Sequence, residues 1–184
     1  MNMEQISDAV AKVKKRYGET DPVRLCRAMG IIVLYESLGR DEDSCKGFFM
    51  DNCRIRTITI NSDLPSVIQR IILAHEIGHA VLHRKATGLH AFHEFSLFDE
   101  TSHLEYEANL FAAEYLLDDQ DVFETLNQDI SFFGAASALY VPPELLDFKF
   151  RVMKRKGYKL TDPPLMAQSN FLRDIKVPRY GEID

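Results

Sequence analysis

Apolar residues recur every three to four positions over 3–17, where Ile6, Val10, Val13 and Tyr17 line one side. That spacing predicts an amphipathic helix, and Gly18 stops it. Asp21 before Pro22 is an N-cap signal opening a short helix to Met29, with Leu25, Cys26 and Met29 inward and Gly30 at its end. The β-branched run 31–35 predicts a strand, and the polar stretch 38–44 a loop. Two further strands, 46–50 and 54–60, join around Asp51 and Asn52. In the second, Ile58 and Ile60 share one face and Thr57 and Thr59 the other, the pattern of a strand covered on one side. From Leu64 and Pro65 to His83 the pattern changes to a helix that is apolar over most of its circumference, through Ile68, Ile71, Ile72, Ala74, Val81 and Leu82. Such a helix belongs in the core. Irregular chain is expected over 87–101, then helices from Ser102 to Leu117, over 121–127, and as a pair over 131–140 and 142–156. The segment 161–184, broken by Pro163, Pro164 and Pro178, is expected to be an irregular tail. The fold class is α+β, with a small sheet stacked on the buried helix.

Polar residues in that buried helix give the pattern its chemical meaning. His75, Glu76, Ile77, Gly78 and His79 fit H-E-x-x-H. Residues four apart lie one turn above each other, so both imidazoles can face one ion. Two histidines and a glutamate in a core helix are costly without a partner, and a metal is the simplest one. A catalytic zinc takes three protein ligands and a water, and Glu76 lies where it can accept that water's proton. The alternative is a core helix with two internally satisfied histidines.

A third ligand is required. The all-histidine solution fails, because Leu82 and Lys85 occupy the positions of its glycine and last histidine. His83 is a further turn along the axis, about 6 Å away. The carboxylate option is Glu105, four residues before Asn109 on the same helix face, with Asn109 suited to hydrogen-bond a ligand histidine. Glu107 and His103 are alternatives, and Ser102 with Glu105 also spells a capping box that would occupy Glu105 structurally. Oxyanion donors are sought among His83, His90, His93 and Tyr106, and the strand residues Thr57, Ile58, Thr59 and Ile60 are expected to pair with an extended substrate.

Composition narrows the setting. The formal charge of −6 argues against nucleic acid as the main partner. Positions 91–130 contain no Lys or Arg, whereas Lys149, Arg151, Lys154, Arg155 and Lys156 reverse the sign. Three cysteines, Cys26, Cys45 and Cys53, none in a C-x-x-C pair, together with an N-terminus lacking a signal-peptide pattern and no apolar run of membrane-spanning length, point to reduced thiols in the cytoplasm.

The ordered set of motifs resembles the ImmA/IrrE family of metallopeptidases. The resemblance rests on Lys46-Gly47-Phe48-Phe49, on Thr57 through Asn61, on Gln69 and Arg70 before the histidine motif with Leu82 and His83 after it, and on Glu105, Glu107, Ala108, Asn109, Phe111, Ala112, Ala113, Glu114, Leu116 and Leu117. It covers about 21–117. It implies a minimal zincin-like core with Zn2+ held by His75, His79 and Glu105, spanning 1–128 with the N-terminal helices. A helix-turn-helix-like appendage over 129–160 and the tail 161–184 would follow. It also implies a zinc endopeptidase acting on a protein, a helix-turn-helix repressor, and so derepressing mobile-element or stress genes. Asp118 and Asp119 depart from the family pattern, which often has an apolar residue and proline there. A rival reading is a regulatory protein with a structural or vestigial zinc site, contacting a repressor or DNA through the basic segment. The sequence leaves the oligomeric state open.

Overall fold

The computed structural model describes residues 1–41, 44–52, 54–83 and 100–172. Seven helices and a three-stranded sheet are found among them: α1 Met3–Tyr17, α2 Pro22–Met29, β1 Ile31–Glu36, β2 Gly47–Asn52, β3 Ile55–Asn61, α3 Ser66–Leu82, α4 Glu100–Leu116, α5 Asp119–Leu126, α6 Phe132–Ala138 and α7 Pro143–Arg155. The chain is α+β, as its pattern predicts. Local chemistry sets most boundaries. Asn2 and Gln5 form a capping box on α1, Gly18 closes it at φ 67°, and Asp21 caps α2 by accepting from the Arg24 N–H. The expected helices and strands otherwise differ by a residue or two at their ends, where the last turn of a helix frays.

The sheet order is β1-β3-β2, with β1 parallel and β2 antiparallel to β3. This corrects one expectation. Thr57, Ile58, Thr59 and Ile60 lie in the central strand, paired with Ile32–Tyr35 on one side and with Gly47–Met50 on the other. A substrate strand cannot add there, because both rows of β3 backbone groups are already used. The face assignment needs the same adjustment. Ile58 and Ile60 are fully buried, but Thr59 is buried too, so the end of β3 is covered on both sides. The buried side chain of Asn61 accepts from the Asp63 and Leu38 N–H groups and donates to the carbonyls of Gly39 and Cys45. It thereby ties the loop entering β2 to the end of β3.

Helix α3 is buried at every position from Ile71 to Ala80. The sheet covers it on one side and α4 on the other. Gly47 permits the first contact, since a Cβ there would fall 2.7 Å from the Ile72 side chain and 3.0 Å from the Thr59 carbonyl. Gly78 permits the second, its Cβ position lying 3.2 Å from both the Ala108 Cα and the Phe111 Cβ. Helix α4 begins two residues before the expected cap, so Ser102 is inside the helix and not at its N-cap. The capping-box reading of Glu105 therefore fails.

The core does not break near position 129. Ala135, Ala136, Leu145, Leu146, Phe148, Val152 and Met153 join the same buried cluster as α1, α3 and α4, and so do Ala167, Phe171 and Leu172 from the irregular segment after α7. Residues 129–160 are thus packed into the domain instead of hanging from it. The basic residues of α7 are neutralised internally. Lys149, only 1 % exposed, pairs with Glu114 at 2.7 Å and with Asp119 at 2.5 Å. Lys156 reaches the same two carboxylates, Arg151 pairs with Asp147, Lys154 with Asp162, and Arg155 with Glu4.

Candidate metal centre

The close approach of α3 and α4 at Gly78 brings His75 and His79 opposite Glu105. The Nε2 atoms of the two histidines are 3.0 Å apart. Glu105 Oε2 is 3.0 Å from His75 Nε2, and its Oε1 is 3.3 Å from His79 Nε2. One ligand atom from each residue lies within 4.8 Å of the other two, the only group of this kind among the described residues.

Hydrogen bonding on the far side of each ring shows why this cluster suits a cation. Asn109, fully buried, donates through Nδ2 to the Ser169 carbonyl at 2.6 Å, which fixes its amide with Oδ1 toward His75. His75 Nδ1, 2.8 Å from that oxygen, must be the donor. A neutral His75 then presents a lone pair at Nε2. His79 Nδ1 is likewise engaged, 3.1 Å from His83 Nδ1, leaving its Nε2 turned to the same point. Two imidazole lone pairs and a carboxylate converge in a largely buried space. Nitrogen and oxygen donors in this number fit zinc, with a fourth position left for water or substrate.

The three groups are also coupled electrostatically. Burial works to lower the pKa of His75, but the hydrogen bond and charge of Glu105 outweigh it and the net shift is upward. For Glu105, burial works upward and is overcome by His75 and His79, which hold the carboxyl well below its ordinary range. Glu76 is 7 % exposed, and burial pushes its pKa up against the opposing pull of His79 and His75. The Phe49 backbone N–H donates to it. Glu76 thus sits between the edge strand β2 and the two histidines.

The remaining expected residues fall elsewhere. His83 is buried with both ring nitrogens engaged, Nδ1 by His79 and Nε2 by Glu107 Oε2 at 2.8 Å, so it is neither a ligand nor an oxyanion donor. Burial, followed by the neighbouring His79, lowers its pKa to about 4. Tyr106 turns its ring to α7, against Phe148 and Arg151. Glu107 and His103 pair with each other outside the cluster, at 3.0 Å. His90, His93 and Cys53 lie outside the described residues. Sequence reasoning missed Phe49, Ser169 and the partnership of His83 with Glu107. The first two act through main-chain atoms, which no side-chain pattern encodes. The third was signalled by His83 standing four residues after His79.

Comparison with known proteins matches residues 26–151 to the model of the IrrE N-terminal-like domain. The chain belongs to the ImmA/IrrE family. Among relatives, immunity region protein 2 of Bacillus phage phi105 is 33% identical over 144 residues, covering 78% of this chain and 88% of that one. Metallopeptidase ImmA of Bacillus subtilis is 27% identical over 151 residues, covering 78% of this chain and 83% of its own. Membership of the ImmA/IrrE family makes the chain a metallopeptidase and implies a metal ion. Among its described residues, no helix is long and apolar enough to cross a membrane.

Proposed function

We propose that this chain is a zinc-dependent endopeptidase of the cytoplasm, cutting a protein substrate whose class is a helix-turn-helix transcriptional repressor, and so releasing mobile-element or stress genes. The observation that carries the reading is the convergence of His75 Nε2, His79 Nε2 and Glu105 within 4.8 Å, with the carboxylate of Glu76 in the same buried space. A phage relative from an immunity region is compatible with a repressor as the protein cleaved.

His75, His79 and Glu105 would hold the ion. Bound zinc would supply Lewis-acid activation of a water and of the scissile carbonyl. Glu76 would accept a proton from the attacking water and pass it to the departing amine. Its raised pKa suits both halves of the task, and the Phe49 N–H orients its carboxylate. The substrate backbone is best accommodated at β2. Lys46 accepts from the Asn61 N–H, so Lys46, Phe48 and Met50 turn their backbone groups to β3, and Gly47 and Phe49 turn theirs outward, where the Phe49 N–H meets Glu76. An extended peptide laid along β2 would pass beside the base. With His83 and Tyr106 engaged elsewhere, His90 and His93 are the oxyanion donors proposed.

The test is to incubate the purified, zinc-loaded chain with a repressor encoded beside it, in parallel with Glu76→Gln. Zinc content should be equal and cleavage should fall by roughly 10²–10⁴-fold in the variant. Undiminished cleavage by Glu76→Gln would remove Glu76 from the mechanism. Zinc-free protein purified from zinc-supplemented medium would remove the reading altogether.

A further inference from the structure

Two buried side chains behind the metal centre have no part in the chemistry above. His83, 7 % exposed, links His79 to Glu107, which is 2 % exposed. The links are His79 Nδ1 to His83 Nδ1 at 3.1 Å and His83 Nε2 to Glu107 Oε2 at 2.8 Å. The other oxygen of Glu107 meets His103 Nε2 at 3.0 Å and the Met1 amino group.

Hydrogen-bond direction decides what this chain of contacts does. An imidazole Nδ1···Nδ1 contact has one proton, carried by one ring or the other. If His83 carried it, His79 Nδ1 would be the acceptor, and the neutral His79 ring would have its proton on Nε2, where it cannot ligate. If His79 carries it, His83 accepts at Nδ1, keeps its own proton on Nε2, and donates that to the carboxylate of Glu107. Only the second arrangement leaves His79 Nε2 as an electron-pair donor. In it both nitrogens of each ring have a defined role, and a carboxylate stands at the far end.

We propose that His83 and Glu107 are positioning residues for the ligand His79, forming a directed His79–His83–Glu107 chain that fixes its tautomer, locks its ring plane and raises the donor strength of its Nε2. The proposal rests on the metallopeptidase reading. It also separates the two histidine ligands. His75 is held by the neutral amide of Asn109, and His79 by a chain ending in a carboxylate. Partners in this position are worth 10–100-fold in metal affinity.

The experiment is competition for zinc against a chromophoric chelator, together with the visible spectrum of the cobalt(II)-loaded protein, on wild type, His83→Leu, His83→Gln, Glu107→Gln and the double variant His83→Leu/Glu107→Gln. His83→Leu should weaken zinc binding 10–100-fold. His83→Gln should recover most of that loss, because an amide can accept from His79 and donate to Glu107 at once. Glu107→Gln should weaken binding several-fold and shift the cobalt absorption. The double variant should be no worse than His83→Leu alone, since both changes interrupt one chain. A folded His83→Leu within twofold of wild type overturns the proposal, as does a His83→Gln no better than leucine. Should His83→Leu fail to fold, unchanged affinity and an unchanged cobalt spectrum in Glu107→Gln overturn it equally. A wild type that binds no zinc would instead defeat the metallopeptidase reading, so the two failures are distinguishable.

Discussion

At His75 the decisive partner is neutral and buried. Asn109 gives up one of its few hydrogen-bonding directions to the imidazole and is itself oriented by the Ser169 carbonyl. Asn109→Ala should therefore reduce zinc affinity roughly 10–100-fold with little change in fold, measurable by chelator competition and circular dichroism. The pairing of Asn109 with a histidine of the motif was legible in the sequence, because Glu105 and Asn109 are four apart on a helix and H-E-x-x-H fixes the opposing face. What turned Asn109 the right way was not legible, since it is a carbonyl sixty residues downstream. A second residue makes a different prediction. Cys26 is fully buried, and burial, with the charge of Asp21, pushes its thiol from an ordinary 9.0 up to about 12. The folded pKa lies above the unfolded one, so the contribution of the neutral thiol is constant below about pH 9 and is lost as pH climbs toward 12. Urea midpoints should show that decline in wild type, and Cys26→Ala should remove its share of it. Iodoacetamide at pH 8 should leave Cys26 unmodified in native protein and alkylate it in urea, as peptide mass mapping would show.

Elements are held at the distances the site needs by small residues at two crossings. Gly78 lies inside the histidine motif, yet its job is to let α4 come close. A larger side chain would meet the Ala108 backbone and the Phe111 Cβ, neither of which can swing aside. Gly78→Val should cost about 1–3 kcal/mol of stability, read by urea denaturation. By moving Glu105 away from the histidines, it should also lower zinc affinity at least tenfold, with both measured on the same preparation. An equal zinc affinity in that variant would mean that the helix spacing is not what sets the ligand distance. The elements themselves were legible from periodicity nearly throughout, for the hydrophobic spacing of α1, α3 and α7 is that of helices with one face or all faces inward. The sheet order was not. Nothing in the alternation of Thr57, Ile58, Thr59 and Ile60 tells a strand with two neighbours from a strand with one, and that choice moved the proposed substrate edge from β3 to β2.

Across the whole molecule, charge that looked like a surface feature is an internal clamp. Lys149 on α7 and Lys156 at its C-cap hold Glu114 of α4 and Asp119 of α5. Burial and both lysines act on Asp119, and the lysines win, lowering its pKa. Its contribution to stability is therefore present above its unfolded pKa and fades as pH falls through the folded one. Lys149→Met should destabilise the protein by about 3 kcal/mol, because Glu114 and Asp119 lose a buried partner, and adding Glu114→Gln should return part of that loss in a double-mutant urea series. The five basic residues of this segment each face a carboxylate of their own chain.

The carbonyl of Ser169 has a practical corollary. A protein engineer who trimmed this chain to the stretch recognised by its family, 26–151, would discard the atom that aims Asn109, along with helix α1 and the aromatic plug of Phe171. All three proposed ligands would survive the cut on paper, but one imidazole would have lost its aim.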